Sequence, residues 1–179
     1  MRQSIVGGIV LAYEFGLSGI FKVFLVLHIL SAIVGLGAVM LNGIYAAQGQ
    51  KRPGAPGRAI SEANFAVSQI AEKVIYLIPV FGILLVLTSD GVFKFSYLFV
   101  WLALALYIGA LGVSHSILIP GHKKINALLL EMEQGAPAAG GPPPQLAQIQ
   151  AIGKRQAAAG ASLNVVVAVI LILMVWQPH

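Results

Sequence analysis

The chain has 179 residues, of which 58% are hydrophobic and only 9% charged, with a mean hydropathy of +0.88. Soluble domains carry roughly a quarter charged residues, so this composition excludes an ordinary water-soluble globule. The net charge of +5 comes from 11 basic residues set at the ends of apolar runs, which reads as a membrane topology signal and not as a nucleic-acid face. The absence of cysteine excludes disulfides, thiolate metal sites and cysteine nucleophiles.

Residues 1–22 hold an apolar patch broken by Gly7 and Gly8, with no small-x-small cleavage site after it. The reading is a retained segment, too short to span, that lies at the interface or leads into the first span. From Val23 to Ala47 there are 25 residues without Asp, Glu, Lys or Arg, longer at about 1.5 Å per residue than the roughly 30 Å hydrocarbon layer. This predicts the first transmembrane helix, over about 21–47. Gln48–Arg58, with two prolines, three glycines and three cations, predicts a loop.

A second helix is expected from near Ile60, with Ser61 as its N-cap, and its span over about 66–89 places Glu72 and Lys73 just inside the boundary. Ser89-Asp90-Gly91 predicts a tight turn. The third span is expected over about 96–119 and stopped by Pro120-Gly121, followed by a short amphipathic interfacial helix, HKKINALLLEMEQ. A Gly/Pro linker at 135–145 has too little side chain to pack and reads as mobile, and the last span runs over about 156–176. The fold class is therefore all-α: a single transmembrane domain, 1–179, built as an antiparallel four-helix bundle with an interfacial helix between spans three and four.

Lys51, Arg52, Arg58, Lys123, Lys124, Lys154 and Arg155 all fall in the two long connections, against Arg2, Lys22 and Lys94 on the other side. The positive-inside rule then makes both connections cytoplasmic and puts both termini on the outer face. Trp101 and Trp176 fall toward the outer ends of their spans, where an aromatic belt lies. Small residues on span one (Ser31, Gly35, Gly37) and span three (Gly109, Gly112, Ser114, Ser116) read as packing positions. Asn42, Glu72 and His115 fall at matching depth near the cytoplasmic boundary and are expected to satisfy one another there.

His28 is the ionisable group set deepest in an apolar run, and an intramembrane histidine is a functional-site candidate by default. Depth places it far from His115, so the two cannot share one haem, and Tyr107 is the partner expected at its level. Catalytic triads, phosphate loops, paired carboxylates and metal-ligand spacings are missing from the sequence, which leaves no enzyme class to favour.

The stretch Leu27-His28-Ile29-Leu30-Ser31-Ala32-Ile33-Val34-Gly35-Leu36-Gly37 resembles the first-span signature of an uncharacterised bacterial family of four-span integral membrane proteins. More distantly it is similar to the copper-resistance D family and to the HemJ-type membrane protoporphyrinogen oxidases. The likeness extends to the Pro79-containing second span, the amphipathic helix and the Gly/Pro linker. It implies a bacterial inner membrane location, the four-span fold, and His28 as a candidate axial ligand to haem b. Those families place a tryptophan where this chain has Gly35, and the oxidases place a second histidine near Tyr107-Ile108-Gly109, so oxidase activity does not carry over. Two functions are expected from different classes: a non-catalytic subunit packing in the lipid bilayer against other membrane subunits or itself, and a haem-binding redox protein using His28.

Overall fold

The computed structural model describes residues 18–52, 54–134 and 143–178. Among these there is no strand, and the chain forms an all-α four-helix bundle. Helix α1 is Gly19–Gln50, α2 is Ala55–Leu87 and α3 is Leu98–Val113. A π-helical turn, Ser114–Leu118, joins α3 to α4, Ile119–Gln134, and α5 is Pro144–Trp176. Among the described residues four stretches are long and apolar enough to cross a membrane: α1, α2, the helical stretch Leu98–Gln134, and α5. Their outward side chains are those of a lipid-facing surface, with Ile33 64%, Leu87 65%, Ile108 60% and Val165 64% exposed. This is a multi-pass membrane protein in which helices, with every backbone bond made within the segment, are the elements that a bilayer tolerates.

The helices start where local chemistry allows. Ser18 caps α1, its Oγ accepting the amide of Phe21. Pro56 and Pro144 sit in the first turns of α2 and α5, where a missing N–H costs nothing. Several expectations are corrected. Helix α2 begins at Ala55 and not near Ile60, so the connection narrows to a few residues after Gln50. Ser61 is therefore not a cap: it lies inside α2 and donates to Asn126 Oδ1 at 2.6 Å.

Pro120-Gly121 does not end the helix of the third span. The turn just before it is wound one residue wider, which accommodates a ring that lacks an N–H and would crowd the preceding carbonyls of a regular helix, and α4 continues to Gln134. The reading of residues 1–17 and most of the Gly/Pro linker lie outside the described residues.

The chain divides into two compact units. The first draws on Met1–Gly37, Ala71–Gly109 and Val166–His179, and the second on Ala38–Ile70 and Ala110–Val165. The first is closed by an aromatic cluster in which Phe21, 1% exposed, stacks on Phe93 at 6.2 Å and packs with Leu25, Leu85 and Val92. Ser89 is fully buried and organises the turn after α2: its Oγ donates to Val86 O and accepts the Phe93 amide at 3.0 Å. Asp90 and Gly91 follow in the left-handed region, at φ 50° and 83°, so the turn lies where the sequence places it. The second unit buries Leu128, Ile149, Ala159 and Leu163 together with Asn64, and polar contacts join its helices around them. Arg58 pairs with Glu133 at 2.6 Å, Phe65 stacks on His122, and Ser68 donates to Asn64 O and to Asn42 Oδ1.

Candidate functional site at the Pro79 break

Pro79 lies inside α2 and removes one rung of the helix ladder, because its nitrogen cannot donate to the carbonyl of Ile75. In a membrane no water replaces that donor, and an unmet carbonyl costs free energy. Tyr107 supplies it: its hydroxyl donates to Ile75 O at 3.1 Å from α3. One turn further on, the next carbonyl in line is also engaged from outside, by His28, whose Nδ1 lies 2.9 Å from Ile78 O.

The hydrogen bond of His28 fixes its tautomer. A carbonyl oxygen only accepts, so Nδ1 carries the proton and the lone pair of the neutral ring sits on Nε2. The approach depends on Gly82: a Cβ there would stand 3.2 Å from His28 Cε1. Phe24 and Phe81 stack at 6.5 Å beside the bond and hold the two helices in register. On the next turns of α1, Ser31 and Gly35 are both buried, and a Cβ at Gly35 would meet Ile75 Cγ1 at 2.7 Å. Spans one and two thus approach at backbone distance along one seam, as small-residue spacing permits.

The expected His28–Tyr107 hydrogen bond is overturned. Each side chain turns to a separate carbonyl of α2: Tyr107 to Ile75 O, which Pro79 leaves without its helical donor, and His28 to Ile78 O, which gains a second partner. The group expected at the cytoplasmic boundary finds varied partners. Asn42 Oδ1 accepts from Ser68 at 3.2 Å, Glu72 accepts from the Tyr76 hydroxyl, and His115 Nδ1 bonds Leu111 O one turn back.

The small residues separate into two sets. Ser31 and Gly35 are spent on the fold, whereas Gly37, Gly109 and Gly112 have nothing within 4 Å of where a Cβ would stand. On the third span Trp101, Ala105, Gly109, Gly112 and Ser116 are all exposed and recur at helical spacing, so one outward stripe is lined by small residues.

Sequence reasoning missed the role of Pro79 as the centre of the site. The signal was available: a proline inside an apolar run exposes the carbonyl four residues earlier, and a donor at that depth on a neighbouring span is its natural complement. It also missed Asn64, buried at 4% exposure, whose Oδ1 has no hydrogen-bond partner among the described residues. No group of three or more metal-ligating side chains occurs among the described residues. The chain matches no protein-family model, no curated protein and no solved structure.

Proposed function

We propose that this chain is a non-catalytic integral membrane subunit that docks through the outward stripe of its third span, either on a larger membrane complex or on a second copy of itself. The observation that carries the reading is the stripe of Ala105, Gly109, Gly112 and Ser116, all exposed, with no atom of the described residues within 4 Å of where a Cβ on either glycine would stand. Between helices in lipid, close backbone approach over small residues supplies the packing that hydrophobicity cannot. The polar groups within the first unit are consumed by the fold, His28 and Tyr107 meeting carbonyls at the Pro79 break, which fits a scaffold better than a reaction centre. In this reading the protein sits in a bacterial inner membrane with both Lys/Arg-rich connections cytoplasmic and both termini outside.

The test uses the cysteine-free chain, which accepts single cysteines at will. A cysteine at Ala105 should form a crosslinked species in native membranes, and adding Gly112→Leu should reduce that species several-fold while the monomer remains folded. Crosslinking that is absent, or indifferent to Gly112→Leu, refutes docking through this face.

One observation favours a second reading. Metal-bound histidines characteristically donate their other ring N–H to a backbone carbonyl, and His28 does so, leaving Nε2 as a free lone pair. His28 thereby fits the role of axial ligand to haem b. That group, when bound, would supply one-electron redox chemistry; the chain's own contribution is to orient the imidazole and keep the site dry. Protein from haem-replete cells should then show a Soret band that His28→Ala removes. A colourless preparation leaves the scaffold reading in place.

A further inference from the structure

The wide turn at Ser114–Leu118 opens the backbone of the third span beside α5 in the second unit. Gln156 reaches across and donates to Leu118 O at 3.0 Å, and Gly121 leaves the room its amide occupies, since a Cβ there would collide with it. Beside this bridge lies a cleft of about 180 Å³ lined by Ser116, Ile117, Pro120, Lys124, Ile152 and Arg155. A single water needs roughly 10–15 Å³, so the cleft has room for a polar headgroup.

Its chemistry is divided. Ile117, Pro120 and Ile152 give apolar walls, and Lys124 and Arg155 are exposed cations at its rim. Among the described residues the ion pairs go to Arg58, with Glu62 and Glu133, so neither Lys124 nor Arg155 is neutralised by a salt bridge.

We propose that this cleft is a specific site for an anionic phospholipid, with the phosphate held by Lys124 and Arg155 and the glycerol and upper acyl chain against Ile117, Pro120 and Ile152. The inference rests on the membrane location of the chain; the cleft shares Ser116 with the outward stripe, and its cations and apolar walls are not among the residues of that stripe. Two arguments select a lipid over a free phosphate. A soluble anion is held by converging N–H donors in a polar cradle, whereas more than half of the side chains around this cleft that are not cations are hydrocarbon. The position is also where a headgroup lies, at the end of an apolar span just where Lys123 and Lys124 begin the amphipathic α4.

The experiment uses the full chain in nanodiscs and measures association of spin-labelled phosphatidylglycerol against spin-labelled phosphatidylcholine. Each cation near an anionic headgroup is worth roughly fivefold in affinity, so wild-type protein should prefer phosphatidylglycerol by tenfold or more. Lys124→Gln with Arg155→Gln should abolish most of that preference. The charge-matched control, Lys123→Gln with Lys154→Gln, removes neighbouring cations that do not line the cleft and should leave most of it. Exchanging the charges, Lys124→Arg with Arg155→Lys, should retain it and guards against a variant that fails to fold. Equal loss in the lining and control pairs means diffuse attraction to the membrane surface and overturns the site. Displacement of the labelled lipid by inorganic phosphate at comparable concentration makes it a soluble-anion site and also overturns the proposal.

Discussion

The arrangement around Pro79 can be tested as a coupling. In the wild type, Tyr107→Phe leaves Ile75 O with neither of its donors: the proline has no N–H, and the hydroxyl is gone. A carbonyl left unmet in a dry environment costs roughly 1–3 kcal/mol, and hydrogen bonds between membrane helices average about 0.6 kcal/mol with a maximum near 1.7. The expected loss is therefore about 1 kcal/mol. In a Pro79→Ala background the restored amide at position 79 can take Ile75 O in the ordinary helical pattern, and Tyr107→Phe should then cost close to nothing. The interaction energy of the cycle is expected at about 1 kcal/mol, above the roughly 0.3–0.5 kcal/mol within which independent sites add. Equilibrium unfolding in mixed micelles, followed by the fluorescence of Trp101 and Trp176, reads all four species. His28→Ala serves as the contrast, because Ile78 O keeps the Gly82 amide as its helical donor and so loses only a second partner. Equal costs of Tyr107→Phe in both backgrounds would mean that the hydroxyl does not substitute for the missing rung, and the account of the break fails.

Gly35→Ala brings a methyl to within 2.7 Å of Ile75 Cγ1 and 3.3 Å of its backbone nitrogen, and overpacking of this kind should cost about 1–3 kcal/mol in the same assay. Gly37→Ala, two residues on and with open space where the Cβ would stand, should stay within about 0.5 kcal/mol; a comparable loss at both would show that the seam is not where the close approach lies. For topology, a cysteine at Gln50 or Ala138 should resist an impermeant thiol reagent in intact cells and react after permeabilisation, and labelling from outside reverses the assigned orientation.

Four predominantly apolar runs dictate four helices, and Ser89-Asp90-Gly91 dictates its turn, because both signals are local and legible in the sequence. The error at Ser61 is also local in origin: it is a good capping residue, but Pro56, earlier in the chain, already begins the helix. The continuation through Pro120 depends on a wide turn, whose winding has no composition signal of its own. Pro79 marks Ile75 O as an acceptor open to Tyr107, whereas the partner of His28 was illegible for a different reason. Depth along a span is readable at about 1.5 Å per residue, but the face each helix turns to its neighbours is set by tertiary packing, and an acceptor on the backbone carries no residue type to search for.

The wide turn at Ser114–Leu118 bears on how this segment tolerates insertions and deletions. A π turn is an α-helical turn holding one residue too many, and each added residue rotates the downstream helix by about 100°. Removing one residue from this pentapeptide would let the turn relax to ordinary winding while α4 keeps its heading, so that Leu128 stays inside and Lys124 stays at its cleft. The same deletion within α3 or α4 would swing the downstream face away from its contacts. In length variation, then, this is the point on the helical stretch where the chain can lose a residue and keep its faces.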